Sequence, residues 1–219
     1  MKHFFSLRKT IKENMIVSAR KQFIFVHIPK TAGSSIFQAL RQYNDAPDTD
    51  ENRHLDLETI CKRYAHLGNL SGNPAFEEGN RSHSTPGRSG KFFKFAFVRN
   101  PWDRIVSMYF YRLQNREIPR DLSFFDFVIN RKNYPFGLHR EQVKLLADDN
   151  GQIAMDFIGR FENLREDWVE VQNRIDVKAD LPRLKQTSHN HYRHYYNREI
   201  IDEVARMYPK DIDFFGYRF

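Results

Sequence analysis

The chain has 219 residues, 40% hydrophobic and 15% aromatic, enough for one full α/β domain, short for two, and unlike a disordered protein. Lys plus Arg is 35 against 28 for Asp plus Glu, a net charge of +7 that suits an anionic partner without naming it. The one cysteine, Cys61, excludes an internal disulfide and argues against a cysteine-based metal site, and no apolar run approaches the ~18 residues of a membrane span.

Residues 1–9 are basic and lead into no apolar stretch or small-residue cleavage site, so they make a poor signal peptide, and a cytoplasmic protein is expected. Residues 1–22 are read as a basic arm or short helix, and 23–219 as the main domain. Phe23–Ile28 is a compact apolar run with the β-branched and aromatic content of a buried strand. Ile36, Phe37, Leu40 and Tyr43 then switch to helical spacing. Residues 44–91 are polar, with three prolines and five glycines, and read as a long variable loop with a short helix around Leu55–Tyr64.

Phe92–Val98 is a second buried strand. Trp102, Ile105, Val106, Tyr109, Phe110 and Leu113 form a helical stripe, with Asn100 placed as N-cap and Pro101 as first helical residue. Further helices are expected at 122–130, 138–147, 162–175 and 198–207, with a short strand near Met155–Arg160. There is no internal repeat or low-complexity tract. Strand–helix alternation predicts an α/β fold: a single domain with a central, mostly parallel sheet flanked by helices.

The first strand ends in Pro29-Lys30-Thr31-Ala32-Gly33-Ser34-Ser35 and runs into a helix. Loop N–H groups and a helix N-terminus converge on a point that favours negative charge. Gly33 allows close approach of an anion or an unusual backbone angle, Lys30 adds a mobile charge, and three hydroxyls add donors. An ordinary strand–helix turn with a surface lysine is the plain alternative. The ATP-binding pattern G-x-x-x-x-G-K-[ST] is not met, because Lys30 precedes the loop's only glycine.

His27–Ser35 resembles the 5′-phosphosulfate-binding loop of sulfotransferases that use 3′-phosphoadenosine-5′-phosphosulfate (PAPS), in particular the carbohydrate-type family related to heparan 2-O-sulfotransferases. Phe95–Ser107 resembles that family's 3′-phosphate motif, an arginine at a strand end and a serine eight residues later. The resemblance implies a P-loop-NTPase-like sulfotransferase fold and assigns Lys30, Thr31, Ala32, Gly33, Ser34, Ser35, Arg99 and Ser107 to PAPS. It continues through Phe157–Leu164 with Asp167, and through Leu181-Pro182 to Asp213–Phe219, fading over 44–91 where acceptor recognition is expected. Taken alone, Arg99 is a surface ion pair; Arg104 is expected in a structural salt bridge.

The implied activity is sulfuryl transfer from PAPS, a co-substrate, to a hydroxyl acceptor on a carbohydrate or glycolipid. Lys30 neutralises the bridging oxygen, and no metal is expected; His189 and His191 lack helical metal-ligand spacing. A general base is required, and His83 is the first choice, ahead of His66, His54 and Glu78. His27 is read as packing. His189, His191 and His194 with Tyr192, Tyr195 and Tyr196 are read equally as a ligand surface or as a polar-aromatic helix face. The rival function is a non-catalytic nucleotide- or nucleic-acid-binding protein. Against nucleic acid, the basic residues are spread along the chain and no reader motif is present.

Overall fold

Two aromatic-rich strands set the architecture. The computed structural model describes residues 15–47, 55–68, 70, 91–130, 140–148, 150–184 and 187–219. The strands are β1 (Ile16–Ser18), β2 (Phe23–Val26), β3 (Phe93–Val98) and β4 (Phe157–Arg160). They form one sheet in that order; β1 is antiparallel to β2, and the β2–β3 and β3–β4 pairs are parallel. The helices are α1 (Gly33–Leu40), α2 (Leu57–Arg63), α3 (Pro101–Gln114), α4 (Phe124–Ile129), α5 (Val143–Leu146), α6 (Leu164–Ile175), α7 (Arg198–Met207) and α8 (Pro209–Phe215). None of them is long and apolar enough to cross a membrane.

Because strand side chains alternate, each strand feeds two cores. Phe23 and Phe25 of β2, with Phe95 and Phe97 of β3, face α1 (Ile36, Phe37, Leu40) and α6 (Trp168, Val171, Ile175). Ile24, Val26, Ala96 and Val98 face the other way, onto α3, α4 and α7. The four phenylalanines are fully buried, each stabilising the fold by about 1.5–3 kcal/mol relative to exposure. In β4, Gly159 pairs with Phe97, and a side chain there would meet that ring at 2.5 Å, so glycine lets the aromatic face close.

The single α/β domain with a mostly parallel sheet matches expectation. At the N-terminus the outcome differs. Residues 16–18, expected in an arm or helix, form β1 and are fully buried, returning as the neighbour of β2 through a turn in which Gln22 has φ 52°. Residues 1–14 lie outside the described region. A helix at α8, absent from the expected set, closes the chain. It starts at Pro209 and stops at Gly216, whose φ of 64° is the left-handed C-cap conformation glycine favours.

Parallel pairing has a consequence for function. β2, β3 and β4 all end at the same edge of the sheet, so the segments starting at His27, Arg99 and Phe161 emerge side by side. In open parallel sheets this carboxyl edge is where ligands bind.

Candidate functional site

A cleft of about 1180 Å³ opens at that edge. Its wall includes Lys30, Ala32, Gly33, Ser34 and Ser35 of the first loop and Arg99 and Ser107 of the second junction. The two segments, separated by some seventy positions in sequence, therefore line one space.

The first loop is braced from behind through three successive carbonyls. Thr31 Oγ1 donates to Ile28 O at 2.9 Å, Arg104 Nε to Pro29 O at 3.1 Å, and Arg99 Nη1 to Lys30 O at 3.1 Å. Lys30 and Ala32 have φ of 68° and 69°, while Thr31 between them does not. Such alternation turns successive N–H groups toward one side, the concave arrangement that suits an anion. Ala32 stands at the N-cap of α1 and offers no side-chain cap that would compete for the helix's N-terminal N–H groups.

Two expectations about this loop change. Gly33 does not carry the unusual backbone angle; Lys30 and Ala32 do. What requires a glycine is His27, whose ring atoms Cδ2 and Nε2 lie 1.8 and 2.0 Å from where a Cβ would stand. His27 is buried beside Phe25, with ring centroids 6.0 Å apart, and it also lines the cleft, so packing is only part of its place. Thr31 is 1% exposed and its hydroxyl is engaged by Ile28, so that side chain braces the loop instead of facing the cleft.

Arg99 is buried to 7% exposure at the tip of β3. Its guanidinium lies 3.9 Å from the Phe161 ring centroid, and Nε donates to Asp103 Oδ2 at 2.8 Å. It is thus both an ion pair and a cleft residue, with the arginine buried and Asp103 half-buried. Asn100 caps α3 as expected, accepting from Trp102 N–H at 3.0 Å, with Pro101 following. Ser107, 3% exposed, lies on the helix face that carries Arg104, Ser107, Met108, Tyr111 and Arg112, all lining the cleft. These positions are spaced i, i+3, i+4, i+7, i+8, one side of a helix. That spacing is the signal by which Arg104, Tyr111 and Arg112 were recoverable from sequence.

Among the described residues Arg104 has no acidic partner at salt-bridge distance, contrary to expectation. It ties Pro29 O to Arg140 O, joining the loop to the segment before α5. Lys30 Nζ rests 4.1 Å from the Tyr111 ring centroid, a cation–π contact inside the cleft. Ser35 Oγ accepts from Leu184 N–H at 3.3 Å, linking α1 to the stretch 181–184 that also lines the cleft.

Of the candidate bases, His83, His54 and Glu78 lie outside the described residues. His66 is exposed, pairs with Tyr64 at 6.2 Å, and does not line the cleft. The C-terminal histidine–tyrosine group divides. Tyr192, Tyr195 and Tyr196 pack against the α3–α4 core, Tyr196 OH donating to Trp102 O at 2.7 Å, and burial pushes that phenol well up. His191 and His194 are exposed, whereas His189 lines the cleft, stacked on Phe110 at 5.2 Å. Among the described residues no group of three or more His, Cys, Asp or Glu is placed to hold a metal.

The family model described as the sulfotransferase family matches residues 13–218. An uncharacterized protein of Archaeoglobus fulgidus is 31% identical over 106 residues, 47% of this chain and 83% of that protein. Carbohydrate sulfotransferase 14 of Danio rerio is 24% identical across 247 aligned positions, which take in 96% of this chain and 64% of that protein. The chain therefore spans under two thirds of the length of that relative. No solved structure matches significantly. The chain belongs to the sulfotransferase family.

Proposed function

We propose that this family member transfers the sulfuryl group of PAPS to a hydroxyl group, foremost on a carbohydrate. The observation that carries the reading is the convergence of two anion-suited elements, the Lys30–Ser35 loop and the Arg99/Ser107 pair, on one cleft. A nucleotide phosphorylated at both 3′ and 5′ positions needs two such elements; one phosphate needs only the first. The carbohydrate acceptor is suggested by the name of the Danio rerio relative.

In this mechanism the acceptor oxygen attacks sulfur in line with the bridging oxygen of the donor. One S–O bond forms and the S–O bond to the 5′-phosphate breaks. The products are a sulfate ester, 3′-phosphoadenosine-5′-phosphate and a proton. Charge accumulates on the leaving phosphate, and stabilising it is the main task of the protein. Lys30 moves from the Tyr111 ring to that oxygen, while the uncapped N–H groups of α1 and the Ser34 and Ser35 hydroxyls hold the phosphosulfate. Arg99 and Ser107 hold the 3′-phosphate through charge-assisted donors. His83 takes the acceptor proton.

Titration calorimetry tests the reading directly. Tight binding of 3′-phosphoadenosine-5′-phosphate that is lost with AMP is expected. Equal affinity for the two, or displacement by duplex DNA, would overturn it.

A further inference from the structure

Arg99 is held at the tip of β3 by its backbone as well as its side chain, and the holding groups come from far along the chain. Its N–H donates to Gln142 Oε1 at 3.0 Å, and Gln142 Nε2 donates back to the Arg99 carbonyl at 2.8 Å. A single side-chain amide thus pairs with Arg99 as a neighbouring strand would, one residue beyond the last residue of β3, Val98. Gln142 is fixed in turn by Asp211 of α8. The Gln142 N–H and Nε2 both donate to Asp211 Oδ2, at 2.9 and 3.2 Å, and the Val143 N–H donates to Oδ1 at 2.9 Å.

Gln142 and Asp211 are both fully buried, and neither lines the cleft. A buried carboxylate is costly, and burial does raise the Asp211 carboxyl. The hydrogen bonds from Gln142 and Val143 and the charge of Arg104 oppose that rise. Each acceptor oxygen in this chain of contacts meets a donor, which is the condition under which a buried polar network gives rigidity.

The far end of the network is the Arg99 guanidinium. Phe161, Asp103 and Lys30 O constrain its plane, and the bond to Lys30 O sets its place against the first loop. A shift at the Arg99 backbone would break the alignment between its guanidinium and the first loop, which a ligand touching both elements feels and a ligand held by the loop alone does not. Bidentate recognition tolerates such shifts poorly.

We propose that Gln142 and Asp211 are positioning residues for the donor site: they set the attitude of Arg99 and thereby its discrimination for the donor's 3′-phosphate. The proposal rests on the assignment of Arg99 to that phosphate. It makes α8, the last helix of the chain, part of the nucleotide-recognition apparatus without contacting the nucleotide.

The test is the affinity ratio of 3′-phosphoadenosine-5′-phosphate to AMP, measured by calorimetry on the full chain, with thermal melts alongside. Asp211→Asn keeps the size but turns an amide NH₂ toward backbone donors. Gln142→Asn keeps the amide but stops one methylene short of Arg99. In both, the ratio should fall about 10-fold or more while AMP affinity stays within roughly two-fold. Should Asp211→Asn melt below the assay temperature, Gln142→Asn, which keeps Asp211, carries the test. An unchanged ratio would overturn the proposal and leave the pair as fold supports only, whether both affinities fall together or neither falls. A wild-type chain with no preference for the 3′-phosphate would instead overturn the donor assignment, and this proposal with it.

Discussion

Gly33→Ala is the sharpest probe of the first loop, because its effect follows from the space left beside one ring. A Cβ at this position would stand 1.8 Å from His27 Cδ2, 2.0 Å from Nε2 and 2.8 Å from Cγ. No non-bonded pair of heavy atoms sits so close, so either the His27 ring or the start of α1 must move. The backbone of Gly33 is not left-handed, so conformational strain adds little and the cost is overpacking. His27 is 4% exposed, which limits its escape. Overpacking of this kind costs about 1–3 kcal/mol. For a chain of this length that is a fall in Tm on the order of 2–12 °C. Calorimetry with 3′-phosphoadenosine-5′-phosphate should show weaker binding, since the first turn of α1 shifts. The control is the double variant His27→Ala/Gly33→Ala. With the ring gone, adding Gly33→Ala should cost no more than about 0.5 kcal/mol beyond His27→Ala alone. If Gly33→Ala is as stable as wild type, or costs the same with and without His27, the reasoning is wrong.

Four other outcomes are expected. Lys30→Ala should lower kcat about 10²–10³-fold with the far-ultraviolet spectrum unchanged, whereas Arg99→Ala should weaken nucleotide binding about 10- to 100-fold; assays of turnover and calorimetry separate the two. His83→Ala should lower kcat about 10²–10⁴-fold with nucleotide affinity retained, and an unchanged kcat would place the base elsewhere. Burial opposes ionisation of Asp56, yet hydrogen bonds from Thr59 and the Arg140 guanidinium outweigh it and hold this carboxyl below its ordinary 3.8. Its stabilising contribution is present above that value and lost as pH falls through the depressed one. The Tm advantage of wild type over Asp56→Asn should therefore shrink in acid melts below pH 3.8.

Much of this architecture was legible in the residues themselves. Phe23–Ile28 and Phe92–Val98 are bounded apolar runs, and Asn100-Pro101 marks the start of α3 unambiguously because cap and proline agree. β1 was hidden because three residues carry no periodicity, and its burial is a tertiary effect of pairing with β2. α8 was hidden for the same reason of length, despite Pro209 and Gly216 at its ends. At the site, residues that touch the ligand region were readable as types in motifs, whereas those that hold them were not. Gln142 and Asp211 reach Arg99 across 43 and 112 positions of the numbering, and only the fold brings them together. The role of Gly33 shows the limit from the other side. The sequence marks the glycine; only the structure shows that a histidine six residues earlier demands it.

The central claim is that this cleft moves a sulfuryl group from PAPS to a hydroxyl. Incubation of the protein with PAPS carrying radiolabelled sulfur and a panel of neutral and acidic glycans measures it directly. Label should appear as a sulfate ester on at least one glycan, with 3′-phosphoadenosine-5′-phosphate released in equal amount, and Lys30→Ala should slow both by about 10²–10³-fold. Transfer that is undiminished in Lys30→Ala, or tight nucleotide binding with no transfer to any member of the panel, would contradict the account.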